Sequence, residues 1–239
     1  MNSLPMLTLG LLLGMLHATD ADHLVAVSTL VTREHGVRGA ARIGALWGVG
    51  HATTLLAAGC AVIVFNLAIP VRFELAAEFC VALMLVLLGA GSLARLHGHA
   101  HAGSPPADAG AGRLRRRAGP AGWRAVRQFR RLRALRPLGP LGIGSVHGLA
   151  GSAAVVLLVL AQTRDAWWGV AYLLLFVLGA GAGMLIVTSA FALPLLRTRR
   201  LPRLDAGIRI AASVSSLGLG GYLAWSVGAA GVHAAAGLR

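Results

Sequence analysis

The stretch that most restricts this chain runs from Leu4 to Val31. Apart from one short polar insert, almost every residue in it is Leu, Val, Ala, Met, Gly or Thr. The run is longer than the ~20 residues a helix needs to cross a bilayer. The insert, His17-Ala18-Thr19-Asp20-Ala21-Asp22-His23, falls near its middle. A charged side chain at the bilayer centre costs roughly 3 kcal/mol on insertion scales, so such residues face a protein interior or an aqueous cavity and have partners. Two imidazoles and two carboxylates at that depth mark an ion, proton or substrate path. The alternatives are an interhelical His/Asp hydrogen bond with no ligand, or a proton relay.

At 100° per residue, His17, Asp20 and His23 share a stripe about 120° wide, while Asp22 points away from it. All four converge only if the helix is broken locally or if another helix completes the set. Gly10 and Gly14 lie just upstream, where they permit such a break or a close helix contact. Imidazole nitrogen with carboxylate oxygen is a ligand set for divalent first-row metals.

His17-x-x-x-x-Asp22-His23 resembles the HxxxxDH signature of the nickel/cobalt transporter superfamily. Trp47-Gly48-Val49-Gly50-His51-Ala52-Thr53-Thr54 is similar to that family's second Gly-His-Ser/Ala-Thr motif. The short chain and His147-Gly148-Leu149-Ala150-Gly151-Ser152-Ala153 resemble the smaller, urease-accessory-type branch. The acidic motif that larger eight-span permeases carry in their second half is absent. The resemblance covers essentially the whole apolar chain, and its first motif is the specific one. It implies a carrier and no enzyme, with Ni2+ or Co2+ as transported substrate and no permanently bound cofactor. His17, Asp22 and His23 are then the principal ligands, with His51 and His147 contributed by facing helices. Asp20 is either a further ligand or the acceptor that fixes a histidine tautomer. Ligand chemistry alone leaves zinc and manganese open.

Composition places the rest of the chain in the same class. Apolar residues make up 56% of it, mean hydropathy is +0.73, and there are 32 glycines. Those values describe an integral membrane protein. Hydropathy predicts six spans, near 4–31, 42–68, 74–95, 139–162, 167–196 and 207–230. The first apolar run lacks the basic flank of a signal peptide and continues past any cleavage point, so it reads as a retained span. The expected architecture is all-α, with residues 1–95 and 139–239 forming two three-span repeats around a loop at 96–138.

The net charge of +14 would suggest a nucleic-acid partner, but its distribution removes that reading. All 22 basic residues are Arg, which hints at a GC-rich bacterial genome. Nineteen lie in the connections 1–2, 3–4 and 5–6, from Arg33 to Arg209; only Arg72, Arg164 and Arg239 lie on the other side. By the positive-inside rule the first group is cytoplasmic and both termini face out, across a bacterial inner membrane. The bilayer itself, with its anionic inner leaflet, is one partner. The resemblance allows a metallochaperone or a nickel-enzyme maturation protein as another, for which no residue pattern argues.

The halves repeat. Gly14-Met15-Leu16-His17-Ala18 aligns with Gly144-Ser145-Val146-His147-Gly148 at an offset of 130, and the copy replaces Asp20, Asp22 and His23 with Ala150, Ser152 and Ala153. Three spans is an odd number, so the repeats must be inverted, a common transporter plan with the site at the repeat interface. Gly179-Ala180-Gly181-Ala182-Gly183-Met184 reads as a packing face. Glu74 and Glu78 read as a solvated helix end, and Cys60 and Cys80 as apolar fillers. His97-Gly98-His99-Ala100-His101 reads as a flexible stretch that could buffer metal, and Trp123 to Leu135 as a basic amphipathic helix on the inner leaflet.

Two other functions fit the class. An exporter of sulfite or another small anion would want a midplane arginine, and the spans hold none. An intramembrane metal-dependent enzyme would need a general base, for which Asp20 is the candidate. A thiol carrier fails, because Cys60 would need a partner near position 190, which is Ala190.

Overall fold

The computed structural model describes residues 3–32, 34, 36–65, 70–101, 138–150, 165–198 and 201–236. All regular structure among them is helical, in seven helices: α1 (Ser3–His17), α2 (Ala21–Val31), α3 (Val37–Phe65), α4 (Val71–His101), α5 (Leu138–Ala150), α6 (Ala166–Thr198) and α7 (Pro202–Ala236). The protein is a helical membrane protein. Helices α3, α4, α6 and α7 are each long and apolar enough to cross a bilayer, and α1 with α2 forms a fifth candidate crossing bent by 52°. The fourth expected span is described only through α5; residues 151–164 lie outside the described residues, as does the amphipathic segment from Trp123 to Leu135.

The first span is broken, and the break falls at Ala18–Asp20, downstream of Gly10 and Gly14. Thr and Asp offer the backbone local alternatives to a helix. The Thr19 amide and hydroxyl both donate to the Leu16 carbonyl, at 2.8 and 2.6 Å. Asp20 then adopts φ −59°, ψ 150° as the residue before α2. The third span also departs from expectation: α4 runs through His101, so the backbone from His97 to His101 is helical and not a flexible stretch. One glycine, Gly98, costs only about 1 kcal/mol relative to Ala and does not stop a helix by itself.

Glycines set how the helices pack, and they do so in reciprocal pairs. A Cβ on Gly14 of α1 would strike the Phe176 carbonyl of α6; one on Gly144 of α5 would strike the Trp47 carbonyl of α3. Gly179 of α6 faces Leu11 O and Met15 N of α1, just as Gly50 of α3 faces Leu141 O and Ser145 N of α5. On the third helices, Gly89 of α4 meets Ser213 and Leu217 of α7, and Gly220 of α7 meets Ala82 and Val86 of α4. Each residue of one contact matches one of the other at a shift of 130 (α1 to α5), 129 (α3 to α6) or 131 (α4 to α7) positions. The glycines upstream of the polar insert thus serve close approach and not the helix break.

Two apolar clusters result. One gathers Ala18, Val27, Val31, Trp47, Leu85, Met184 and Leu195. The other gathers Leu55, Ile63, Tyr172, Leu173, Phe176 and Val177. Along α3 and α6 they lie on opposite sides of the level of His51. Met184 belongs to the first cluster, fully buried. The free thiol Cys60 is half-buried beside the second cluster, and Cys80 is exposed on α4. Glu78 is exposed near the start of α4 and Glu74 half-buried, in keeping with a solvated end.

Candidate metal centre

Four histidines from four helices meet between the two apolar clusters. His17 is the last residue of α1, His23 sits in the first turn of α2, His51 lies mid-way along α3, and His147 is in the last turn of α5. Ring centroids are 4.7 Å apart for His17 and His23, 5.3 Å for His17 and His51, 5.5 Å for His23 and His51, and 4.4 Å for His23 and His147. His23, His51 and His147 are at most 2% exposed.

The break in the first span makes this convergence feasible. Ending α1 at His17 and restarting at Ala21 brings Asp22, which an unbroken helix would turn away, toward the imidazoles. Asp22 Oδ1 accepts from the His23 amide at 2.9 Å and from His23 Nδ1 at 3.1 Å; Oδ2 accepts from His147 Nε2 at 2.9 Å. A carboxylate has only lone pairs to offer, so each facing ring nitrogen is the donor and carries the hydrogen. Asp20 occupies the capping position of α2 but makes no capping bond with its side chain. Its Oδ2 instead accepts from His17 Nδ1 at 2.7 Å.

These bonds fix tautomers. His17 and His23 are each held with the hydrogen on Nδ1, which leaves Nε2 with its lone pair. Both Nε2 atoms are buried without a hydrogen-bond partner, as are His147 Nδ1 and both ring nitrogens of His51. Buried polar atoms are ordinarily paired, and leaving one unpaired costs about 1–3 kcal/mol. A neutral ring offers one lone pair, so these five nitrogens amount to four imidazole donors, one from each ring, available to a cation. Ligand atoms of His17, His23 and His51 lie within 4.8 Å of one another, and so do those of Asp22, His23 and His147.

Aromatic rings wall the layer. Trp47 stacks on His23 at 5.3 Å and meets His147 edge-on at 5.7 Å, and Phe176 lies 5.5 Å from His17. Trp47 and Phe176 correspond at the 129-position shift that relates α3 to α6. Nothing in the sequence singles out Phe176, because a Phe within an apolar run reads as ordinary core and the glycine pair Gly50 and Gly179 is a weak sign of that shift. His51 corresponds at the same shift to Ala180, so α6 supplies no imidazole at that level.

The six residues expected as ligands, His17, Asp20, Asp22, His23, His51 and His147, therefore meet here, with Asp20 at the rim, its side chain 54% exposed. His97, His99 and His101 belong to the far end of α4.

No protein-family model matches the chain, and no solved structure does. Over 218 residues it is 33% identical to the urease accessory protein UreH of Bacillus sp. (strain TB-90), a comparison that covers 90% of this chain and 88% of that protein.

Proposed function

The chain belongs to the urease accessory protein UreH family, and from that premise we propose that it carries a divalent first-row metal cation, nickel or cobalt, across the bacterial inner membrane. The observation that carries this reading is the layer of buried imidazole nitrogens with no partner, backed by two carboxylates, at the break of the bent first crossing and half-way along the membrane-length α3. Neutral imidazoles with carboxylate support and no thiolate suit nickel and cobalt. The word urease in the relative's name accords with nickel and with a role as accessory to a metalloenzyme rather than as the enzyme itself.

Alternating access by two inverted three-helix repeats is the mechanism we infer. The reciprocal glycine contacts, matched at shifts of 129 to 131 positions, are what a pseudo-two-fold between the halves would produce. The apolar clusters lie on either side of the histidines, and each would part in turn for the ion to leave toward that face. Metal and proton compete for the same imidazoles, which supplies a route to coupling with the proton gradient.

The alternatives gain less support. Carboxylates in the layer would repel sulfite or another anion. Asp20, the base a metal-dependent enzyme would need, is held by His17.

Flux of nickel, cobalt, zinc and manganese into proteoliposomes, measured in parallel with and without a pH gradient, tests the proposal. Nickel or cobalt flux that responds to the gradient is expected. Absence of flux for all four metals overturns it.

A further inference from the structure

We propose that the ion occupies two overlapping positions in succession, and that His23 is the ligand common to both. One position is built from His17, His23 and His51, the other from Asp22, His23 and His147. The proposal rests on the transport reading and goes beyond it, since neither the signature motif nor the relative's name divides the donors in this way.

The division is written in the hydrogen bonds. His17 Nδ1 is taken by Asp20 and His23 Nδ1 by Asp22, so each ring is left with a free Nε2. His51 has both nitrogens free. Three imidazoles can thus hold a cation without breaking any bond the protein already makes. The second set is different in kind. Its members are already joined through Asp22, at 3.1 Å to His23 Nδ1 and 2.9 Å to His147 Nε2. A cation entering there gains a carboxylate and takes the lone pairs that face Asp22 once each ring has moved its hydrogen to its other nitrogen, His23 Nε2 and His147 Nδ1, both otherwise unpartnered. His23 touches both sets, with one nitrogen free and the other engaged.

Two positions that share His23 are not filled together, because a neutral imidazole carries its hydrogen on one nitrogen and offers a lone pair only at the other, and divalent ions a few ångströms apart also repel. They are instead successive stops. Ion passage requires sites that bind well enough to admit the ion and weakly enough to release it, which multiple stops achieve. Handing the ion across one shared ring exchanges His17 and His51 for Asp22 and His147, and it never leaves the ion unligated among apolar side chains.

The donors also come from different helices. The first position draws on α1, α2 and α3; the second draws on α2 and on α5, the first helix of the second half. Movement of one half against the other would therefore favour one stop over the other.

The test uses full-length protein in lipid nanodiscs, titrated with Co2+ alone, with cobalt optical spectra and X-ray absorption reporting the ligands. Wild type should bind one ion per chain. His51→Ala should still bind, with a carboxylate and two imidazoles, and His147→Ala should still bind, with three imidazoles. The double variant should lose at least 100-fold in affinity, and each single variant should lose at least tenfold in flux. His51→Gln and His147→Gln serve if either alanine variant misfolds. The same ligand set in both single variants, or complete loss of binding in either one as folded protein, overturns the two-position scheme while wild-type flux keeps the transport reading intact. Wild-type protein that neither binds nor moves Co2+ or Ni2+ overturns both.

Discussion

His17 and His23 are separated by five residues, yet both reach the same layer through the same device, a carboxylate that takes Nδ1 and frees Nε2. Such outer partners orient the ring, raise its basicity and typically account for 10–100-fold in metal affinity. Asp20→Ala is therefore expected to weaken nickel or cobalt binding by about 10-fold or more while leaving some flux. His17→Ala, Asp22→Asn and His23→Ala should each abolish flux, measured by mass spectrometry and normalised to protein in the membrane. His147→Ala would strand Asp22 Oδ2 without its 2.9 Å donor, so its effect on flux should exceed what a lost spare ligand implies. Near-normal flux in His17→Ala and His23→Ala would mean that the motif is structural. Acid should also oppose the metal. Imidazoles must be neutral to ligate, so metal affinity should fall as pH falls and recover on return, as read by Co2+ titration at several pH values.

At the scale of helices, backbone-to-backbone approach at glycine is what brings α3 against α5 and α1 against α6. Gly50→Ala or Gly144→Ala would push a methyl group into a facing carbonyl and force the histidine-bearing helices apart. Overpacking of this kind typically costs about 1–3 kcal/mol. Each variant should lower the thermal midpoint by several degrees and reduce flux. Gly142→Ala and Gly218→Ala meet nothing within 4 Å and should be neutral or mildly stabilising. Equal effects at all four positions would contradict the packing scheme. The far end of α4 carries a separate expectation. Replacing His97, His99 and His101 together by Ala should shift the metal threshold of transport without stopping it; complete loss of flux would place them on the ion's path.

For the whole molecule, the arginine distribution predicts both termini outside and the 96–138 loop inside. Aromatic side chains agree with crossing helices. Trp167 and Trp168 are exposed at the start of α6, and Tyr222 and Trp225 on the outer surface of α7, as amphipathic rings at a membrane interface would be. Reporter fusions at residue 110 and at the C-terminus should report opposite compartments. The same compartment for both would refute six crossings.

Hydropathy, the charge asymmetry and the HATDADH insert were enough to determine a helical membrane protein with a polar centre in its first span, because lipid forces apolar length and expensive residues to declare themselves in any one segment. The sequence also required either a broken helix or a second helix, and the structure uses both. Where the break falls was not legible, since it depends on Thr19 and Asp20 bonding to Leu16 and His17 rather than on the glycines nearby. The partners of His23 were hidden for a different reason. Asp22 meets His147 across 125 residues, and Trp47 reaches both rings from a third helix. Periodicity describes one segment at a time and carries no information on which helices touch. The ties of His17 to Asp20 and of His23 to Asp22 are local. Only tertiary packing, set by glycines matched across the two halves, decided that Asp22 also takes His147 Nε2 and that His51 is brought into the same layer without a partner.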